Sequence, residues 1–392
     1  MLSYLIGQLS FSRLTKAICI IAVIICCDAA VVTAKSKMIR VAILRDVDHF
    51  TLGVEGRHTL IDYNSGEKVG FGIRLLPSLV TFDHGKIRIG DKVYDSQRLI
   101  IDPRLDASLR VNDKHFRGML IIINTGTALT VVNSIEIEQY IRGVLYHEIS
   151  DKWPMEAISA QAVATRTYAF YSIEKFAARD YDVTNDVYSQ VYGGKTAERY
   201  RTNLAVKNTK GLVLTYKGKI FPAFFHANSG GITEDASELW DIDLPPLKGG
   251  IESPYSVNSP HYRWKRNFRL KDIQDALEKS GVKVGTIKEI KIKERNKSGR
   301  IRKLEVTDRD GKSTIIEGKI FRDALGPNVL KSNLYDVEMK GYYVDLIGHG
   351  WGHGVGMCQW GAYNMARMRF TYPDILKFYY PGSELGHYKE DD

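Results

Sequence analysis

The chain has 392 residues, 44% hydrophobic and 26% charged, which excludes a disordered chain and leaves room for two domains or one elaborated one. Its formal net charge is +9. A basic chain with no clustered recognition motif suits an anionic polymer or a membrane surface, and nucleic acid is not an expected partner.

A leader comes first. Arg13 and Lys16 precede an apolar run from Ala17 to Cys27, and Val32-Thr33-Ala34 puts small residues at a cleavage position, the pattern of a secretory signal peptide. Cleavage before Lys35 is expected. The alternative for residues 1–34 is an uncleaved membrane anchor, because Ala17 to Ala34 is nearly long enough to span a bilayer. Either way the bulk of the chain is expected to be exported. Cys19, Cys26 and Cys27 fall in the leader. Cys358 alone would remain, which excludes an internal disulfide framework and a cysteine-built zinc site.

Residues 35–110 read as a β-rich region, and the pattern continues to about Ile137. Short runs such as Ile39–Leu44, Lys86–Gly90 and Met119–Ile123 alternate with turn signals at Asn64-Ser65-Gly66 and Asn124-Thr125-Gly126. The run Ala128–Asn133 predicts a strand feeding a short helix near Ile137 to Val144. Trp153-Pro154 opens a long helix, with Pro where its missing N–H is harmless. Met155 to Ala178 carries no Gly or Pro, and it is too apolar all round for a surface helix, so it is expected to run through the core. Strand-like runs return at Leu212–Tyr216 and Ile220–Phe225, ending in the turn Ser229-Gly230-Gly231. Residues 244–262 read as loop. Leu270–Lys279 reads as an exposed amphipathic helix, and Ile287 to Val306 as a basic hairpin turning at residues 296–299. The hairpin's lysines and arginines, Arg300 among them, are expected to form a solvated face, with a wall- or membrane-binding face as the alternative. Short helices over Gly361–Met368 and Pro373–Tyr379 close the chain. The fold class expected is α+β.

The segment Gly348 to Gly361 holds six glycines, two tryptophans and two histidines. Such glycine density does not belong inside a helix or strand. The backbone must turn tightly or lie close against something while presenting imidazole and indole rings. A carbohydrate groove is one reading and a core-packed turn is the other.

Several side chains could carry chemistry. Glu148 precedes the long helix; it could complement that helix's dipole or, if desolvated, serve as a general acid. Arg166 is a charge inside a helix expected to be buried and therefore needs a partner. Glu148 is the first candidate, with Glu156 and Glu174 as alternatives. Gln161 is the other long polar side chain there. His226 and His353, with Glu234 and Glu238, have no recognised metal spacing, and no His-Glu-x-x-His occurs. Ser229 is not in a Gly-x-Ser-x-Gly elbow, so a serine hydrolase is unsupported.

Three blocks occur in order: Tyr140–Ala169, containing Tyr146-His147-Glu148 and Arg166; Phe225–Glu234, with Trp240 downstream; and Gly350–Ala362. Together they resemble the SpoIID/LytB family of bacterial cell-wall proteins, over roughly Phe116 to Gly382. The SpoIID-like domain is assigned to residues 111–385. The resemblance implies a lytic transglycosylase that cuts peptidoglycan glycan strands stripped of stem peptides, with Glu148 as catalytic acid and Arg166 as a functionally needed arginine. It leads us to expect Gln161, His226, Ser229, Trp351, His353 and Gln359 along the substrate groove. No cofactor is implied. Some relatives hold zinc through His and Cys, but Ser189 stands at the matching cysteine position, so no metal is expected. The family also includes enhancers of a wall amidase, which makes an amidase partner and a non-catalytic role the alternative.

Overall fold

Strict alternation builds the first half of the fold. Along His49–Glu55, Phe50, Leu52 and Val54 point inward while His49, Thr51 and Glu55 are wholly or partly exposed, as a strand period of two requires. A computed structural model describes residues 37–104, 107–186 and 189–388. The expected leader lies outside these residues. A seven-stranded sheet runs, in spatial order, Val183–Thr184, Met38–Val47, Leu129–Glu136, Met119–Asn124, Arg98–Pro103, His58–Asp62 and Lys68–Gly72. A six-stranded sheet runs Lys114–Phe116, Ser108–Val111, His49–Glu55, Leu75–Asp83, Lys86–Ile89 and Lys92–Tyr94. Their inner faces share one core that includes Val41, Leu52, Leu99 and Ile122. Strands from both sides of residue 110 lie in each sheet, so the boundary drawn there runs through the sheets.

Helix α1 (Ile137–Glu148) follows directly from strand Leu129–Glu136, and the Glu136 side chain caps it by accepting from the Gln139 N–H. It extends four residues beyond the expected Val144, which makes Glu148 its last residue. Helix α2 (Met155–Lys175) begins after Pro154 and is buried around most of its circumference. One side, including Ile158, Ala162 and Ala169, joins the sheet core. The other, with Ala160, Val163 and Ala164, joins a second core built from Leu214, Phe221, Met357 and Leu376. The expected central helix is there. Among the described residues, no helix is long and apolar enough to cross a membrane.

Helix α3 (Tyr200–Asn208) adds Ala205 and Val206 to the first core, while around the second core lie, later in the chain, α6 (Gln359–Arg367) and α7 (Tyr372–Tyr379). Between them, residues 263–349 form a third core of their own. It holds α4 (Leu270–Lys279), α5 (Gly318–Leu325) and two three-stranded sheets. The expected hairpin is Ile287–Arg295 paired with Ile301–Asp308, and Ser313–Glu317 adds a third strand. The fold is α+β, with a β-rich N-terminal half.

Candidate active site

The glycine-rich segment is shaped by what lies against it. Gly352 has φ +112° and a Cβ there would press on the Cβ of His226, while a Cβ on Gly354 would run into the guanidinium of Arg300. Only glycine permits both the backbone angle and the approach. The segment thus seats its rings beside strand Phe225–His226, which pairs with Met357–Cys358. Cys358 caps α6: its sulfur accepts from the Gly361 N–H and also from the Ser229 N–H, each at 3.3 Å.

A cleft of about 1140 Å³ opens over this junction. Glu148, His226, Trp351, His353 and Gln359 line it, with Trp153, Trp240, His261 and Trp360. Four of the chain's five tryptophans therefore face one cleft. The rings form two groups. Trp153, Trp360 and Tyr363 cluster with centroids 5.0–5.3 Å apart, and His261 meets Trp351 edge-on at 4.6 Å. Elsewhere in the wall Trp240 stacks on Phe224 at 4.3 Å and meets His353 edge-on.

Glu148 is the singular group. Its half-buried carboxyl accepts from the Val191 N–H and from Gln359, yet burial still holds it up at about 7, against an ordinary value of 4.5. No guanidinium or ammonium offsets that burial. The carboxyl also sits at the C-terminal, negative end of α1, which disfavours ionisation further. Behind it, Gln359 donates to Gln161 at 3.3 Å and Gln161 donates to Thr165 at 3.2 Å. Gln161 therefore stands behind the cleft wall and holds Gln359 rather than reaching the cleft.

The two histidines are neutral by construction. His226 Nδ1 donates to the Val355 carbonyl at 3.0 Å, while its buried Nε2 has no partner among the described residues. Burial lowers its pKa well below the usual value. His353 Nδ1 accepts from the Val355 N–H at 3.0 Å, and burial brings its pKa down to about 3. The wall therefore presents imidazoles that do not change charge near neutrality.

Besides Gln161, two expected site residues do not line the cleft. Arg166 is fully buried and pairs with Glu138, not with Glu148, Glu156 or Glu174. Its Nε and Nη2 each donate to that carboxylate at 2.8 Å, a two-pronged pair. Ser229 is buried against Ser256, their hydroxyls 3.1 Å apart, and does not line the cleft. Arg300, expected on a solvated face, is buried. It donates to the carbonyls of Ser229 and Ile232 and ties the hairpin to the turn at residues 229–232. Glu234, a second buried carboxyl of the wall, is fully engaged: Oε1 accepts from the Asp235 N–H and Oε2 from Asn296 and Ser298. Among the described residues, no group of three or more His, Cys, Asp or Glu is arranged to hold a metal ion.

Comparison with known proteins fits this arrangement. The stage II sporulation protein family model matches residues 125–216, the stretch carrying α1, Glu148 and α2. Stage II sporulation protein D of Bacillus subtilis is 32% identical over 275 residues, 66% of this chain and 77% of that protein. The chain belongs to the stage II sporulation protein D family. An uncharacterized protein of Brachyspira hyodysenteriae is 31% identical over 91% of this chain and 94% of its own. The amidase enhancer of Bacillus subtilis is 29% identical over 63% of this chain and 40% of its own length. A further family model, a domain of unknown function (DUF8618), matches residues 247–356, which span the third core. This family member thus combines the sporulation-protein segment with that domain around one cleft.

Sequence reasoning missed Trp153, Trp360 and His261 as cleft residues. The clustering of aromatic residues near both ends of the site was the available signal. The Val191 N–H had none, because a backbone donor leaves no mark in the sequence.

Proposed function

We propose that the protein has a cell-wall role and is an exported lytic transglycosylase, cutting peptidoglycan glycan strands between N-acetylmuramic acid and N-acetylglucosamine. The observation carrying this reading is one carboxyl, Glu148, held near neutrality in a cleft walled by four tryptophans. Protonated Glu148 donates its proton to the glycosidic oxygen as the C1–O bond breaks. The resulting carboxylate then takes the proton of the muramoyl C6 hydroxyl, whose oxygen closes on C1 to give a 1,6-anhydro end. The proton balance closes on one residue, and no second carboxylate is required to activate water or form a glycosyl ester. Glu234 fits that economy, because its oxygens are already occupied.

The other residues take supporting parts. Indole faces of Trp351 and Trp360 carry sugar rings, and neutral His226 and His353 offer hydrogen bonds without adding charge. Gln359 steers the Glu148 carboxyl, with Gln161 behind it. Arg166 is a positioning residue that fixes α1 from the core. The role served is sporulation or other wall remodelling. The second reading, a non-catalytic modulator of a wall amidase, draws on the likeness to the amidase enhancer.

Digestion of purified glycan strands, with and without stem peptides, tests the proposal. Anhydro-muramoyl ends produced by the protein from Lys35 on, and not by Glu148→Gln, are the expected result. Reducing ends would point to hydrolysis instead. Intact strands that are bound but uncut would favour the modulator.

A further inference from the structure

The apolar surface outside the cleft is concentrated at one turn. Phe71, Ile73 and Leu76 are 66%, 72% and 62% exposed, and Leu79 beside them is 53% exposed. Single exposed apolar residues need no explanation, but a contiguous group of large ones marks a contact surface. The turn links strand Lys68–Gly72, the edge of the seven-stranded sheet, to strand Leu75–Asp83 of the six-stranded sheet. Folding consumes neither Phe71 nor Ile73. Thr59 pairs with Phe71 on the outward face, while its neighbour Leu60 points into the core.

Charge accompanies this apolar group. Arg74 sits within the turn and is exposed. Arg57 and Arg104 are exposed at the same end of the sheet: His58 pairs with both Gly72 and Pro103, and the Arg104 N–H donates to the Arg57 carbonyl at 2.8 Å. Among the described residues, none of the three guanidinium groups has a carboxylate partner. The described carboxylates on adjoining strands, Glu55 and Asp102, are fewer than the three arginines. The chain's entry point lies at this end too. Met38 pairs with Glu136, Met119 with Ser134, Leu120 with Ile101, and Ile101 with Leu60, which carries the same end across the sheet to Gly72. Five strand spacings separate Met38 from Gly72, about 24 Å.

We propose that the Phe71–Leu79 turn is a membrane-contact element that seats this body on an anionic lipid surface. Phe71, Ile73 and Leu76 enter the headgroup–acyl boundary, and Arg57, Arg74 and Arg104 face anionic headgroups. Exposed apolar side chains flanked by unpaired cations are what interfacial binding requires. The arrangement holds whether residues 1–34 are cleaved or kept. It stands independently of the glycan reading, since the turn contributes no residue to the cleft.

Flotation with vesicles of equal parts phosphatidylglycerol and phosphatidylcholine tests this. The protein from Lys35 on is suitable, because every described core lies within Met38 onward. The wild type is expected to float at low salt and to bind pure phosphatidylcholine more weakly. Phe71→Ser/Ile73→Ser/Leu76→Ser should lower partitioning about tenfold or more, and Arg57→Gln/Arg74→Gln/Arg104→Gln should remove its salt dependence. All six side chains are exposed, so melting temperatures should match the wild type. Phe71→Trp should shift its fluorescence to the blue on vesicles. Failure of the wild type to float, or equal flotation of wild type and the triple serine variant, overturns the proposal. So does a lipid-free, concentration-dependent dimer that the serine variant abolishes, which would assign the surface to a second copy.

Discussion

Helix α1 carries a carboxyl withdrawn from solvent near each end, Glu138 buried and Glu148 half-buried, and the two are treated oppositely. Glu138, in the first turn, receives both prongs of the Arg166 guanidinium and the Gly211 N–H in the dry core. Glu148, in the last turn, receives hydrogen bonds but no counter-charge. Burial with a cation fixes a carboxylate in its charged form and makes it structural. Burial without one lifts the acid toward neutrality and makes its proton available. Under the proposed function one helix couples a rigid anchor to the proton donor, and rotation or slippage at Glu138 would be felt at Glu148.

Breaking each end separately should give different defects. Glu148→Gln is expected to lower the cleavage rate by about 10²–10⁴-fold, with a melting temperature that matches the wild type below about pH 4.5, where the carboxyl is protonated in both states. Glycan-digestion rates beside calorimetry would show this. Arg166→Met should cost about 3–5 kcal/mol of stability, because it strands a buried carboxylate; chemical denaturation measures it. Adding Glu138→Leu should restore most of that loss. A stable Arg166→Met that nevertheless fails to cut glycan would break the comparison and move the arginine into the chemistry.

Linkage gives a third test. The Glu148 carboxyl binds its proton more tightly folded than unfolded, so the folded state holds the extra proton between pH 4.5 and about 7. Stability contributed below pH 4.5 is therefore lost as pH rises through that window. Relative to Glu148→Gln, the wild type should lose about 1–3 kcal/mol across it. Denaturation midpoints at several pH values would reveal the slope, and parallel curves would deny it. The smallest effect sharpens the same point. Gln359→Leu removes a donor that favours the charged form, so the alkaline limb of the rate profile should move up by up to about one pH unit. His226 and His353 stay neutral near pH 7 and should add no limb of their own.

Periodic features were legible in the sequence and relational ones were not. Leu270–Lys279 is a helix over the very residues its amphipathic pattern marks. Alternation in Ile39–Leu44 and Met119–Ile123 likewise identifies strands. The expectation placed on Glu148 came from the resemblance of its block to a family. The partner of Arg166 was not, because Glu138 lies 28 positions away on another helix and no local spacing points to it. Arg300 looked like one more cation of an exposed hairpin; only the approach of Gly354 and the Ser229 carbonyl makes it a buried tie. Ser229 and Gln161 sit inside motifs matching the family, yet each supports the wall from behind, a distinction that depends on side-chain direction in three dimensions.

The titration of Glu148 itself bears most directly on the central claim. Carboxyl carbon signals of glutamate-labelled wild type, compared with Glu148→Gln, would isolate its resonance without any substrate. A midpoint near 7 is predicted. A midpoint at the ordinary value of about 4.5 would leave the cleft without a proton to give at neutral pH and would contradict the account.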